Sequence, residues 1–216
     1  MMFTELNASD YGYSSIFYNA EFEEILSKVI ACYNAMLSDN VSLSNNENSI
    51  RDYMLYNYLK KQSFKKQYGV TNYLFDSELP ENTGRIDIRI MPVNPFVNDD
   101  AYYIIECKRL DAVNPKGTSG LNSEYVKQGI HRFASTKYST YYKTNGMIGF
   151  VVQTIDISNN VAAINNLLKG AANTTRELFN RNIVSGFDYS YCSTHSLNGV
   201  EITIYHLMFD FSGNVI

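Results

Sequence analysis

Apolar side chains recur every three or four positions between 20 and 37, at Phe22, Ile25, Leu26, Val29, Ile30, Tyr33 and Leu37, with Glu21, Glu23, Glu24 and Lys28 between them. That period is the signature of an amphipathic helix. Acids in its first turn suit the positive end of the helix dipole, and Ser38-Asp39-Asn40 closes it. A second stripe, Ile50, Met54 and Tyr58, predicts a helix that starts after Ser44, runs to Gln67 and stops at Gly69. Ser44 and Glu47 stand at capping-box spacing at its start.

From Tyr73 the period shortens to two. A strand over 73–79, the turn cluster Pro80-Glu81-Asn82-Thr83-Gly84, and Ile86, Ile88 and Ile90 alternating with Arg85, Asp87 and Arg89 together predict an antiparallel hairpin. The alternation puts three isoleucines on one face and Asp87 on the other, with Glu78 across the hairpin as a surface residue or a neighbouring acid. A Pro/Asn-rich link at 92–100, with Asp99 and Asp100 in solvent, leads to an apolar run from Tyr102 that turns ionic at Glu106. Strand parity then sets Glu106 and Lys108 on one face and Cys107 on the other.

Residues 111–123, rich in Asn, Gly, Ser and Thr, read as a flexible loop. The helix expected over 124–137 buries Val126, Ile130 and Phe133 and turns Tyr125, Gln128, Arg132 and Ser135 to another face. Residues 146–152 are nearly all apolar, as in a central strand covered on both sides. A helix over 156–172 follows, extended by a turn or two at Glu177-Leu178-Phe179, and then a late strand over 201–211 with a partner at 189–193. This order predicts an α/β fold: a single domain with a central mixed β-sheet flanked by helices. Residues 1–43 form a helical segment packed on a core of 44–216.

Composition narrows the classes. With 216 residues and 45% hydrophobic content, the chain can bury a sizeable core. Its net charge of −4 argues against a non-specific polyanion binder, yet 108–143 holds seven Lys/Arg against two acids. Lys60, Lys61, Lys65 and Lys66 read as a solvated face. Cys32, Cys107 and Cys192 lie far apart without metal-ligand spacing, as do His131, His195 and His206, so neither zinc nor a disulfide framework is expected. No basic segment followed by an apolar core opens the chain and no run is long enough to span a bilayer, which points to a cytoplasmic soluble protein.

Asp87, Glu106 and Lys108 are the residues with chemistry in them. Phosphodiester hydrolysis needs a hard divalent cation held by oxygen ligands, an activated water, and positive charge where the phosphorane forms. Two carboxylates and a lysine on facing strands can supply the set. Glu-x-Lys alone recurs by chance, and its bland reading is a surface ion-pair ladder; the Ile-rich strand at Asp87 and the apolar strand into Glu106 supply the context.

An Asp, a gap of about twenty residues, then Glu-x-Lys at the end of an apolar strand resembles the PD-(D/E)XK nuclease superfamily, the restriction-endonuclease-like enzymes, over residues 44–155. The resemblance implies a Mg²⁺-dependent nuclease, with Mn²⁺ as substitute, that hydrolyses DNA, in bacterial or phage defence. It implies Asp87, Glu106 and the Cys107 carbonyl as metal ligands, and Lys108 serving the water. The helix after Glu-x-Lys commonly supports the site through a polar residue, here Gln128, which otherwise is an ordinary exposed glutamine. Glu47 is either an extra metal acid or the cap partner of Ser44. Arg109, Lys127, Arg132 and Lys137 are candidates for the DNA backbone, Arg132 having a structural ion pair as its alternative. RNA is disfavoured, because no stacked-aromatic module is recognisable. A duplex break suggests a homodimer or a partner protein. The rival reading is a non-catalytic nucleic-acid-binding or scaffold subunit of a defence complex on the same fold.

Overall fold

The computed structural model describes residues 14–82, 84–93, 101–135, 137–169, 171 and 173–216. The chain opens with α1 (Ser14–Ser38), α2 (Glu47–Met54), a π-helical segment (Leu55–Leu59) and α3 (Gln62–Tyr68). Then come β1 (Tyr73–Glu81), β2 (Gly84–Pro92) and β3 (Tyr103–Leu110). A second helical stretch joins α4 (Leu121–Glu124), a π-helical segment (Tyr125–Ile130) and α5 (His131–Phe133), and is followed by β4 (Thr144–Val151) and α6 (Ile157–Leu168). The chain ends in β5 (Thr174–Asn180), β6 (Ser190–Leu197) and β7 (Val200–Asp210).

All seven strands form one mixed sheet in the order β1-β2-β3-β4-β7-β6-β5. β4 runs parallel to β3 and β7, and every other pairing is antiparallel. Parallel neighbours need long crossovers. The α4-to-α5 stretch makes the first of these, and α6 with the β5–β6 pair makes the second. β4, at the centre, is buried at every position, as its apolar run predicts.

Two cores sandwich the sheet. On one face α1 lays Phe22, Ile25, Leu26, Val29 and Ile30, and α2 lays Ile50 and Met54, against Ile88, Ile105, Cys107, Ile148, Phe150, Leu207 and Phe209. On the other, Tyr125, Val126, Ile130 and Phe133, with Val161, Ile164 and Leu168 of α6, cover Ile104, Leu110, Met147, Val151 and Met208. Cys107 therefore lies on the α1 side and its neighbours Glu106 and Lys108 on the other, as strand parity requires. The single α/β domain with helices on both faces agrees with the sequence reading. The last residues pair back onto the segment between α1 and α2: Val215 bridges Leu43, and Ile216 N–H donates to Leu43 O at 3.0 Å.

Several expectations need correction. The helix read as continuous from 44 to 67 is interrupted by the π turn and by Lys60 and Lys61. Its cap is Asn46, whose side chain accepts from Ser49 N–H at 3.1 Å, so Ser44 and Glu47 form no capping box. Ile86 packs in the opposite core from Ile88 and Ile90, so the three isoleucines do not share a face. The strand rolls where Glu78, opposite Asp87 in the hairpin register, takes a left-handed φ of 59°. β1 continues through Pro80 to Glu81, which pairs with Gly84, so the turn is tighter than the cluster suggested. The segment at 177–179 is edge strand β5, not helix. The helix expected at 124 begins at Leu121, and the 111–123 loop before it is cross-braced, Ser123 Oγ donating to Thr118 O at 2.7 Å and Asn122 Nδ2 to Pro115 O at 2.9 Å. Residues 94–100, with Asp99 and Asp100, lie outside the described residues, as do the first thirteen.

All three cysteines are buried thiols. Two of the dispersed histidines meet. His195 Nε2 and His206 Nε2 each stand 2.8 Å from Ser193 Oγ, and Tyr125 OH closes the chain 2.9 Å from His206 Nδ1. Burial lowers His195 to about 4 and drives His206 well below its usual value, so both are neutral in the fold. An unfolded histidine takes a proton near 6.5, and the folded ones do not, so this pair favours folding above that pH and the advantage drains away as pH falls toward 4. For His195 the loss is on the order of 3 kcal/mol. Urea titrations at both ends of that window should show His195→Gln losing markedly less stability than the wild type; equal losses would rule out the buried neutral imidazole as the source.

Candidate active site

The site forms where β2 and β3 part. Their recorded pairing runs from Ile90↔Tyr103 to Ile88↔Ile105. One residue further, the Asp87 carboxylate takes the place of a strand partner, its Oδ2 accepting the Cys107 N–H at 2.8 Å. Helix α2 closes the gap with two residues four apart, which share one side of a helix. Glu47 reaches β3, accepting from Arg109 N–H at 3.0 Å and Lys108 Nζ at 3.0 Å. Arg51 reaches β2, its Nη1 3.1 Å from Asp87 Oδ1 and its Nη2 2.9 Å from Glu78 Oε1 and 2.8 Å from Asp52 Oδ1. Arg51 is fully buried.

Lys108 holds the centre. Its ammonium lies 2.7 Å from the Cys107 carbonyl, 2.9 Å from Glu106 Oε1, 3.0 Å from Glu47 Oε1 and 3.9 Å from Asp87 Oδ2. Four oxygens from three elements thus face one cation. Burial opposes the charge on Lys108, but Glu106, Asp87 and Glu47 outweigh it and hold the lysine protonated well beyond its usual range.

Glu106 is wholly enclosed. Besides Lys108, Arg132 Nη1 donates to Oε1 at 2.6 Å and Tyr138 OH lies 2.7 Å from Oε2. Burial, with the Asp87 charge nearby, pushes its carboxyl up to about 7 against the pull of Lys108 and Arg132. Tyr138 OH also lies 2.8 Å from Arg132 Nη1 and 2.6 Å from Arg85 O, which pins Glu106 to the base of β2. Gly129 of the π segment faces the Met147 side chain, where a Cβ would come within 2.2 Å of the methionine methyl, and lies at ordinary contact distance from the Lys108 stem.

The donor set fits a hard divalent ion in kind, being carboxylates and a carbonyl. The oxygens stand at ammonium distance, however, and Mg²⁺ holds oxygen at roughly 2.0–2.1 Å. Among the described residues no three His, Cys, Asp or Glu side chains lie grouped as for a metal ion. The reason is visible in the distances: the cation that holds these oxygens together is Lys108 itself.

A cleft of about 300 Å³ opens beside Lys108, walled by Glu47, Arg109, Leu121, Glu124, Gln128 and Arg132. The structure therefore brings Asp87, Glu106, Lys108, Glu47, the Cys107 carbonyl and Arg132 into contact and sets Gln128 on the wall. Of the other basic candidates, Arg109 also walls the cleft while its Nη1 binds Asn45 Oδ1 at 2.7 Å, Lys127 Nζ binds Thr118 O at 2.6 Å, and the Lys137 stem lies beside Gly84 at the hairpin turn. Sequence reasoning missed Arg51 and Tyr138. The four-residue spacing from Glu47 to Arg51 was the available signal for one; only the fold shows that Tyr138 faces Glu106.

No protein-family model, curated protein or solved structure matches the chain. No helix among the described residues is long and apolar enough to cross a membrane.

Arg51→Met removes the fork that Asp87 shares and leaves that buried carboxylate with the Lys108 ammonium, 3.9 Å away, as its remaining cation. Breaking such a pair costs about 3–5 kcal/mol. Chemical denaturation should read that loss, with Arg51→Lys recovering part of it, since an ammonium keeps the charge but not the fork. A loss below about 1 kcal/mol, the scale of an exposed pair, would mean that Arg51 is not what holds Asp87.

Proposed function

We propose that this protein is a Mg²⁺-dependent nuclease of restriction-endonuclease-like fold that hydrolyses DNA phosphodiester bonds. The observation that carries the reading is the convergence of Asp87, Glu106, Glu47 and the Cys107 carbonyl on one cation position beside an open cleft. The succession of an antiparallel β1-β2-β3 meander and a helical crossover to parallel β4 supports the fold half of the proposal.

In this reading the four oxygens would hold the ion, which when bound polarises the phosphate and acidifies a water. The chain's own groups do the rest. Asp87 is oriented from both sides, by Arg51 and by the Cys107 N–H. Tyr138 fixes Glu106 from below. Lys108, whose ammonium must leave the centre of the cage for an ion to enter, carries its charge toward the cleft, where negative charge develops on the phosphate. Glu47 completes the oxygen set, while the side chain that caps α2 is that of Asn46.

The rival, a non-catalytic binding or scaffold subunit, has one observation in its favour: each acid of the set already has a cationic partner. The same experiment separates the two. Calorimetric Mn²⁺ binding and single-turnover cleavage of duplex DNA should fall together in Asp87→Ala and Glu106→Ala. In Lys108→Ala the ion should bind as well as in wild type or better, while cleavage drops roughly 100-fold or more. Cleavage unchanged in Lys108→Ala, or wild-type protein that neither binds Mn²⁺ nor cuts, sinks the proposal and leaves the scaffold.

A further inference from the structure

Three cations hold the acids of the site, and they differ in their freedom to move. The Arg51 side chain is 1% exposed and shared among Asn48, Asp52, Glu78 and Asp87. Lys108, 11% exposed, is enclosed by its four oxygens. Arg132 is 22% exposed and stands on the cleft wall. Among the described residues only its Nη1 is engaged, by Glu106 and Tyr138, while its buried Nε finds no acceptor and Nη2 no partner. A guanidinium with one engaged nitrogen has unused capacity for a planar, doubly accepting anion.

Charge balance says when that capacity is used. Glu47, Asp87 and Glu106 face Lys108, Arg51 and Arg132, and Arg51 also answers Asp52 and Glu78. A divalent ion that enters as Lys108 swings toward the cleft must still share Glu106 Oε1 with the Arg132 guanidinium. Arg51 cannot withdraw without leaving the buried Asp87 to Lys108 alone, 3.9 Å away, and giving up Asp52 and Glu78 as well. Arg132 can, because its side chain already reaches both the buried carboxylate and the cleft.

We infer that Arg132 is exchanged between Glu106 and a substrate phosphate, so that divalent ion and nucleic acid each raise the other's affinity; this rests on the nuclease reading above. The phosphate draws the guanidinium off Glu106, which frees an oxygen for the ion, and the ion in turn releases the guanidinium to the phosphate. Such coupling is reciprocal by thermodynamic necessity. It keeps the ion weakly held until a phosphate backbone occupies the cleft.

The test is calorimetric titration of Mn²⁺ into wild type, Arg132→Gln and Arg132→Lys, each alone and saturated with a phosphorothioate-substituted DNA duplex. Wild type should bind Mn²⁺ about tenfold or more tightly with the duplex present. Arg132→Gln should bind Mn²⁺ more tightly than wild type in the absence of DNA, with the effect of the duplex reduced to about twofold or less. Arg132→Lys, which keeps the charge without the fork, serves if the glutamine variant does not fold, and its coupling should fall below wild type. Mn²⁺ affinity in wild type that ignores a bound duplex, or full coupling in either variant, overturns the exchange and leaves the nuclease reading standing. Failure of wild type to bind Mn²⁺ under any of these conditions overturns the nuclease reading instead.

Discussion

The arrangement around the Lys108 ammonium is the constraint from which the rest of the molecule follows. A charge withdrawn from water costs several kcal/mol unless good partners surround it. Here a lysine and a wholly enclosed glutamate sit two residues apart on one strand, next to an aspartate on another. They are tolerable only because the partners come from all sides: α2 brings Glu47 and Arg51, the end of the second helical stretch brings Arg132, and the turn before β4 brings Tyr138. None of these elements can slide without exposing an unmatched charge. The hydrophobic cores hold the layers together, and the ionic cluster fixes where α2 and the second helical stretch lie along the sheet.

That cluster also explains why the sheet changes character where it does. β2 and β3 begin as an ordinary antiparallel pair and then separate, so that a side-chain oxygen satisfies the backbone N–H the partner strand no longer reaches. Opening a sheet in this way leaves polar backbone inside a protein unless something replaces it. Asp87 does so, and its second oxygen is thereby aimed at Arg51. On the other face the π segment lies over the Met147 and Lys108 side chains at Gly129. Gln128 and Arg132, four residues apart on that helical stretch, wall the same cleft.

Much of this was legible in the chain, and the rest was hidden for physical reasons. The helical period of α1, the apolar run of β4 and the parity of Glu106 and Lys108 are local patterns, and local patterns survive in the fold. The Ile86 face failed because a single left-handed residue, Glu78, rolls the hairpin, and a residue type tells little about such a conformation. β5 was read as helix because Leu178 and Phe179 are apolar neighbours in a short segment; its strand identity comes from pairing with β6, a tertiary fact. The role of Arg51 rests on an acid 36 residues away, which no local pattern reveals. His195 and His206 looked dispersed because the β6–β7 register that brings them to Ser193 cannot be counted along the sequence.

The pairing of Val215 with Leu43 makes the far end of the chain a structural neighbour of the candidate site. Ile216 and Asn214 both hydrogen-bond into the short connection that leads to α2, and Glu47 stands four residues beyond Leu43. The position of α2, and with it the aim of Glu47 and Arg51, is therefore secured partly by the last three residues. A substitution that breaks the Leu43–Val215 bridge acts on the site from outside it: it can loosen the oxygen set while leaving the sheet and both cores intact.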